Sequence, residues 1–173
     1  RRAVRKNVFP QQWHLKKTNL GGLSVDAHAN VEAAHAVSTG EGIIIAVIDD
    51  GFDIDHPEFS GPAKVVHPRC VTTRTDNPRP RDSHPFFDDD HGTPCAGVAC
   101  AAGVQGASGV APDARLMPIR NASGLGSMRE AEAFTWAVNH GADIISCSWG
   151  PPDSDWWDPD DPSTDSQFPL PPH

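Results

Sequence analysis

Two short blocks of this sequence place an acid and a histidine in contexts that favour catalysis. The first is Ile48-Asp49-Asp50-Gly51, in which an acid directly follows a run of β-branched residues. The second, further along the chain, is His91-Gly92-Thr93, which opens a stretch rich in Gly and Ala. An imidazole can act as a general base in amide hydrolysis when a buried carboxylate fixes its tautomer and stabilises its charged form. The two blocks therefore make His91 a candidate general base and Asp49 a candidate orienting carboxylate.

Alternating strand and helix patterns predict the elements that position these residues. Runs of apolar and β-branched residues bounded by breakers predict strands over 42–49, 114–119 and 143–149. Helical patterns lie over 26–37, about 92–102, and 128–140. Strands that alternate with helices indicate an α/β fold with a parallel sheet, in which ligands gather at the carboxyl ends of the strands. Asp49 and Ser148 lie at such ends.

The third helical pattern has the clearest boundaries. Its apolar residues recur at helical spacing, Ser127 is suited to cap its start, and Gly141 is suited to end it. This repeat predicts a core-facing stripe made of Met128, Ala131, Phe134, Ala137 and Val138.

Composition and charge exclude several classes of protein. The 173 residues, 38% hydrophobic and 21% charged, suffice for one globular domain. The formal charge of -9 argues against a general nucleic-acid binder. We expect no membrane span and no intact signal peptide, because no apolar run is long enough and the basic N-terminus leads into polar sequence. The cysteines lack C-x-x-C spacing, which argues against zinc, and either free thiols or one or two disulfides are consistent with their number: Cys70, Cys95, Cys100 and Cys147.

The last part of the chain differs from the rest. Residues 151–173 hold seven Pro and six Asp without periodicity, which predicts a long surface loop or a processed end. The acids there fit either a solvated loop or a site for a cation or a basic peptide.

Five ordered blocks resemble the subtilisin-like serine proteases, and three of them the kexin and furin branch. Besides the Asp49 and His91 blocks, these are Phe9-Pro10-Gln11-Gln12-Trp13, the triplet Asp49-Asp50-Gly51, and Ser148-Trp149-Gly150-Pro151. The resemblance implies a subtilisin-like three-layer α/β fold, with residues 1–173 as the N-terminal part of one catalytic domain. It also implies that Asp49 and His91 are the catalytic Asp and His of a serine endopeptidase.

The family's nucleophile has no counterpart in this sequence. Ser127 precedes the predicted substrate strand, whereas the family's serine comes long after it, so we interpret Ser127 as a helix cap or a cleft residue. Asn121 and Asn139 lack the context of the family's oxyanion Asn. The resemblance thus implies a partner, a complementary C-terminal chain of the same precursor that bears the Ser and the oxyanion Asn. Cys95 matches a buried thiol of the branch, for which packing is the expected role.

The convertase branch implies cleavage after Arg or Lys. By resemblance Asp153 would face the P1 side chain, and Asp50 and Asp88 the P2 side chain, while Ser148, Trp149 and Gly150 would form the edge strand that pairs with an extended substrate. A solvating role for these acids is the other interpretation.

Family members often bind Ca²⁺, so the resemblance implies a structural calcium ion. Glu58 stands where the family has an Asp ligand, and Gln105 falls in a loop that supplies carbonyl ligands. Lys6 stands where the convertases offer an acid and would repel the ion at that site. The acids of residues 158–161 are an alternative site.

Two other functions compete with an active protease: a pseudoprotease that binds basic peptides without cutting them, and a calcium-binding structural fragment. A Gly-Thr-Ser motif downstream in the precursor would distinguish these from a protease. The family resemblance favours a secreted or extracytoplasmic location.

Overall fold

The computed structural model describes residues 11–81, 89–123 and 126–150 of the chain. In chain order its strands are β1 (Thr18–Leu20), β2 (Leu23–Val25), β3 (Ile44–Asp49), β4 (Arg69–Cys70), β5 (Arg115–Arg120) and β6 (Ile144–Cys147). Its helices are α1 (Val31–His35), α2 (Gly92–Cys100) and α3 (Met128–Asn139), with a 3₁₀ turn at Pro57–Phe59. Strands β4, β5, β3 and β6 form, in that order, a parallel sheet. The predicted α/β fold is confirmed.

Strand β3 is the centre of this sheet. All six of its residues are buried, as expected for a strand covered on both faces. Alternate residues face opposite sides, so Ala46 and Ile48 pack with helix α3 through Ala133. Val47 on the other side packs with helix α2 through Ala96. The result is three layers, with α2 and α3 on opposite faces of the sheet.

Helix α3 begins and ends close to the predicted residues but does not bury the predicted stripe. Ser127 accepts the N–H of Glu130 and caps the first turn. The buried residues of α3 are Ala133 and Ala137, whereas Met128 is 79% and Val138 66% exposed. The predicted core face was therefore wrong for the larger side chains. Small residues let the helix lie close to the sheet, and Met128 and Val138 are left on its outer side.

The predicted helix over 26–37 is also shorter than expected. Asn30 has a left-handed φ of 55°, so the helix begins only at Val31. The backbone before it instead bonds to an earlier segment, because Ala29 N–H donates to the His14 carbonyl. That segment leads into the β1–β2 hairpin, which the strand predictions missed. Its two-residue Gly21-Gly22 turn, with both φ values positive, is a recognisable hairpin signal.

A buried lysine supports the segment that enters β5. The Lys64 ammonium, 7% exposed, donates to the carbonyls of Pro112 at 2.8 Å and Ala114 at 2.6 Å. Burial lowers the pKa of Lys64 and raises the pKa of the nearby Cys100 thiol to about 11. Both groups lie on the α2 side of the sheet.

The four cysteines are free thiols in this structure, so the disulfide alternative is not realised here. Within the described part of the chain, every helix is too short or too polar to cross a bilayer.

Candidate active site

Asp49 and His91 meet at the carboxyl end of β3. Asp49 is the last residue of that strand and only 3% exposed, while His91 directly precedes α2 with its side chain 53% exposed. His91 Nδ1 lies 2.9 Å from Asp49 Oδ1, and the Asp50 N–H donates to the same oxygen at 2.9 Å. Because a carboxylate oxygen accepts, Nδ1 carries the proton and Nε2 is left with its lone pair. The hydrogen bond to Asp49 raises the pKa of His91, against the effect of partial burial.

A glycine contact brings these two residues together. A side chain at Gly92 would collide with the carbonyl oxygen of Gly51 and come within 2.9 Å of the Asp49 β-carbon. Gly51 in turn packs on the backbone of Asp89. The start of α2 therefore lies directly against the end of β3, at a distance that only glycine permits.

Asp50 fixes the same junction from its side chain. Its Oδ1 accepts the Gly92 N–H at 2.9 Å, one of the free donors at the start of α2. Burial raises the pKa of Asp50, although the Gly92 hydrogen bond acts in the opposite direction. Asp50 therefore bonds to the first residue of α2 and also lines the cleft.

A cleft of about 320 Å³ opens beside the imidazole. Trp149 forms one wall, and its indole N–H donates to the Ile48 carbonyl at 2.6 Å. Asn121 and Ser123 also line the cleft and were not predicted as site residues. Both directly follow β5, the neighbour of β3, so the rule that ligands gather at the carboxyl ends of strands was the available signal. The cleft is lined by Asp49, Asp50, His91, Asn121, Ser123, Trp149 and Gly150.

The predicted substrate residues Ser148, Trp149 and Gly150 follow β6, which pairs with β3. In the described residues β6 is the edge of the sheet, and the three residues continue beyond its last ladder position. Trp149 and Gly150 line the cleft, whereas Ser148 does not. Asp88, Asp153, Lys6 and the acids of 158–161 lie outside the described residues.

Ser127 is not among the residues that line the cleft. The Ser127 hydroxyl accepts the Glu130 N–H at the start of α3, and the Glu130 carboxylate accepts the Gly126 N–H. The two contacts are those of a helix cap, as the sequence predicted.

Cys95 lies one helical turn after His91, with its sulfur 3.7 Å from both ring nitrogens. The two equal distances place the sulfur in contact with the imidazole ring. Burial raises the pKa of Cys95, so the neutral thiol predominates at neutral pH and packs against the imidazole.

Glu58 holds the loop that follows α2. It is 3% exposed, and its two carboxylate oxygens accept the N–H groups of Val104 at 2.9 Å and Gln105 at 2.7 Å. The pair Glu58 and Gln105 is thus in contact, with Gln105 as a hydrogen-bond donor. This arrangement holds the loop after α2.

The described residues contain no cluster of three or more carboxylates that could hold calcium by side chains alone. One group of three side chains among them has donor atoms close enough to hold a metal ion: Asp49, His91 and Cys95. Calcium prefers six to eight oxygen ligands, whereas this group offers one oxygen, one nitrogen and one sulfur.

Comparison with known proteins finds proteases among the relatives of this chain. A calcium-dependent protease of Trichormus variabilis is 58% identical over 166 residues, which are 96% of this chain and 24% of that protein. Human furin is 36% identical over 149 residues, 84% of this chain and 18% of furin. The chain thus spans about a quarter or less of the length of these relatives.

The crystal structure of a serine protease of Aeromonas sobria superposes with a TM-score of 0.65 at 26% identity, and covers 92% of this chain and 28% of that one. The family model described as the subtilase family matches residues 40–168, a segment that includes Asp49, His91 and the cleft. The chain belongs to the subtilase family.

Proposed function

We propose that this chain supplies the general base and its orienting carboxylate to a serine endopeptidase. The observation that carries the proposal is the 2.9 Å contact between His91 Nδ1 and Asp49, with the imidazole beside an open cleft. In this mechanism Nε2 of His91 takes the proton of the nucleophile and later gives it to the leaving amine. Asp49 stabilises the imidazolium that forms between these steps.

The nucleophile in this proposal is a serine on another segment, and we call this chain together with that segment the complete protease. Among the described residues, the hydrogen-bonding contacts of the His91 ring are with Asp49 and Cys95. Ser123 lines the cleft but makes its contact through its backbone N–H, which donates to Asn121 Oδ1. The relatives' greater length leaves ample chain for a separate serine.

Labelling of the complete protease with a serine-directed fluorophosphonate tests this assignment. We expect the label on a serine outside this chain, and loss of labelling in His91→Ala, because the serine then has no base. His28→Ala is the control, since His28 bonds to Asn30 N–H in a different part of the fold. A label on Ser123 or Ser127 would contradict the proposal. Peptide binding without labelling would favour the alternative, a pseudoprotease that binds basic peptides.

We also propose that the complete protease cleaves after basic residues. Support comes from the 36% identity to furin and from acids that the resemblance assigns to the pockets: Asp153 for P1, Asp50 and Asp88 for P2. A carboxylate that pairs with a desolvated guanidinium favours Arg over a neutral side chain by about 2 to 5 kcal/mol.

Two substitutions that replace a carboxylate with a neutral amide of similar shape test this specificity. Asp153→Asn should lower kcat/KM for Arg at P1 and leave an apolar P1 substrate nearly unchanged. Asp50→Asn should reduce only the preference for a basic P2 residue, because the amide oxygen can still accept the Gly92 N–H. Asp76→Asn, an exposed acid paired with Arg69, is the control. A wild-type preference for Phe or Leu at P1 would reject basic specificity while leaving the catalytic proposal intact.

Calcium dependence of the complete protease is a further part of the proposal. It rests on the name of the relative that is 58% identical. Removal of calcium with a chelator should lower the melting temperature, and added calcium should restore it. An unchanged melting temperature would contradict a structural ion.

A further inference from the structure

Arg120 is a buried cation at the carboxyl end of the sheet, next to the Asp49–His91 pair. It is the last residue of β5, it is 3% exposed, and the strand register places it opposite Asp49 of β3 on one side and Cys70 of β4 on the other. A buried guanidinium is stable only when its donors are matched by acceptors.

The Arg120 guanidinium makes one contact with each of three separate segments. Nε donates at 2.7 Å to the carbonyl of Asp50, the residue that directly follows Asp49. Nη2 donates to Asp89 Oδ2 at 2.6 Å, two residues before His91. Nη1 lies 3.5 Å from the Cys70 sulfur. A single rigid group therefore connects β4, the end of β3, and the segment that enters α2.

Asp89 is shared by two arginines that differ in their surroundings. Arg120 holds it from the buried side, and Arg81, with a 57% exposed side chain, holds it from the solvent side at 2.9 Å. The hydrogen bond from Arg81, aided by Arg120, lowers the pKa of Asp89 to about 2. Asp89 therefore stays ionised across the working range of a protease. Only Arg120 also contacts β3.

These contacts lie within one or two residues of both members of the pair. The Asp89 backbone packs against Gly51, and Gly92 packs against Gly51 and Asp49. A movement of Asp89 or of the Asp50 peptide would therefore change the separation of the Asp49 carboxylate and the His91 imidazole. Neither of the two side chains is itself touched by the guanidinium in the contacts described.

We propose that Arg120 is a positioning residue for the Asp49–His91 pair. It holds the Asp50 carbonyl and the Asp89 carboxylate in fixed positions relative to each other. This inference rests on the proposed function, because it concerns the same site. Arg120 acts through the backbone, and it does not contact the substrate or the proton that His91 transfers.

The test compares Arg120→Gln and Arg120→Lys with Arg81→Gln in the complete protease. A displacement of about 1 Å in a catalytic group can cost about 10²-fold in rate, so we expect both Arg120 variants to lower kcat by about that factor with little change in KM. Arg120→Lys keeps the charge, but one ammonium cannot span the three contacts. Arg81→Gln removes a charge from the same carboxylate and should leave kcat nearly unchanged.

NMR titration of His91 gives a readout that does not depend on activity. The ring faces the carboxylates of Asp49, Asp50 and Asp90 and the thiol of Cys95. Loss of a nearby positive charge would by itself raise the pKa of His91, whereas a weakened hydrogen bond to Asp49 would lower it. We expect a lower pKa in both Arg120 variants, and an unchanged or slightly higher pKa in Arg81→Gln.

The outcomes separate the two proposals. If wild-type protein is catalytically inert, the proposed function fails, while the His91 titration still decides the role of Arg120. If the Arg120 variants keep the wild-type kcat, or titrate like Arg81→Gln, the positioning role is wrong. Should Arg120→Gln fail to fold, Arg120→Lys decides the role alone, because it keeps the charge and any change in the His91 pKa then reports the lost contacts.

Discussion

Asp49 interacts with its surroundings mainly through one oxygen. Oδ1 accepts both the His91 imidazole and the Asp50 N–H, whereas Oδ2 is buried and has no hydrogen-bond partner in the described residues. An unpaired buried acceptor costs free energy, so the two hydrogen bonds to Oδ1 are the contacts that stabilise the Asp49 carboxylate. The raised pKa of His91 is the measurable sign of this pairing.

We expect Asp49→Asn to lower the pKa of His91 and to reduce kcat by about 10⁴-fold, because an amide can present its N–H to Nδ1 and favour the wrong tautomer. Catalysis requires neutral His91, so activity of the wild type falls as the pH drops through the raised pKa. The acid limb of kcat/KM should move to lower pH in the variant. A pH–rate profile measures both effects, and an unmoved acid limb would contradict the assignment of His91 as the base.

The same raised pKa affects stability with a defined sign. A histidine whose pKa is higher in the folded than in the unfolded protein stabilises the fold below its unfolded pKa, and this contribution is lost as the pH rises through the folded value. The Asp49–His91 contact therefore stabilises the fold most under conditions in which His91 is charged and inactive.

Among the elements, helix α2 depends on glycine at its first residue, where it lies against the end of β3. A β-carbon added at Gly92 would lie 2.9 Å from the β-carbon of Asp49. One added at Gly97, in the same helix, would have open space around it. The two glycines are therefore matched sites for one substitution.

Gly97→Ala should stabilise the protein by about 0.5 to 1 kcal/mol, because alanine favours the helix interior. Gly92→Ala should destabilise it by about 1 to 3 kcal/mol through overpacking and should also reduce kcat, because α2 carries His91 away from Asp49. Urea unfolding and peptidase assays of both variants provide the comparison. Equal effects at the two sites would show that close packing at Gly92 is unimportant.

Helix α3 offers a second prediction at this scale. Ser127→Ala removes the cap acceptor for Glu130 N–H and should cost about 1 kcal/mol of stability with little effect on kcat. Thr135→Ala, an exposed site in the same helix, is the control for loss of a hydroxyl. A variant that loses all activity while keeping its stability would contradict the cap assignment.

Local patterns predicted those elements whose signals lie within a single segment. Strand β3 is a continuous apolar run, and Asp49 follows it directly, so both its place in the sheet and its acid were recognisable. Arg120 was not identified, because its role depends on Asp50 and Asp89, which only the folded sheet brings together. The face of α3 was wrong for a related reason. Periodicity shows that a helix has an apolar side, but the distance to the sheet decides whether Ala133 or Phe134 fits beneath it.

For the molecule as a whole, the exposed apolar side chains of the described residues include some on the edge strand of the sheet and on helix α3. Strand β6 pairs only with β3 among the described residues, and Ile144 on it is 51% exposed. Val138 of α3 is 66% exposed. An unpaired strand edge with apolar side chains promotes association with another chain.

The chain by itself should therefore self-associate at micromolar concentration. Ile144→Lys should reduce this association, because a charge on an edge strand opposes pairing. Val37→Lys is the matched control, since Val37 is 90% exposed but lies outside the sheet. Sedimentation velocity of the three proteins measures the effect. A monomeric wild-type chain would contradict an exposed, adhesive edge.

The buried Lys64 has a consequence for tolerance of alkali. A neutral amine keeps two N–H groups, and the two carbonyls that Lys64 contacts, those of Pro112 and Ala114, need two donors. Deprotonation thus removes a desolvated charge without breaking either hydrogen bond. Because the folded pKa is lowered, the unfolded chain binds the extra proton at moderately alkaline pH, and stability from this group rises with pH in that range. With Cys100 protonated to about pH 11, the layer beneath α2 loses charge rather than gaining it as the solution becomes basic.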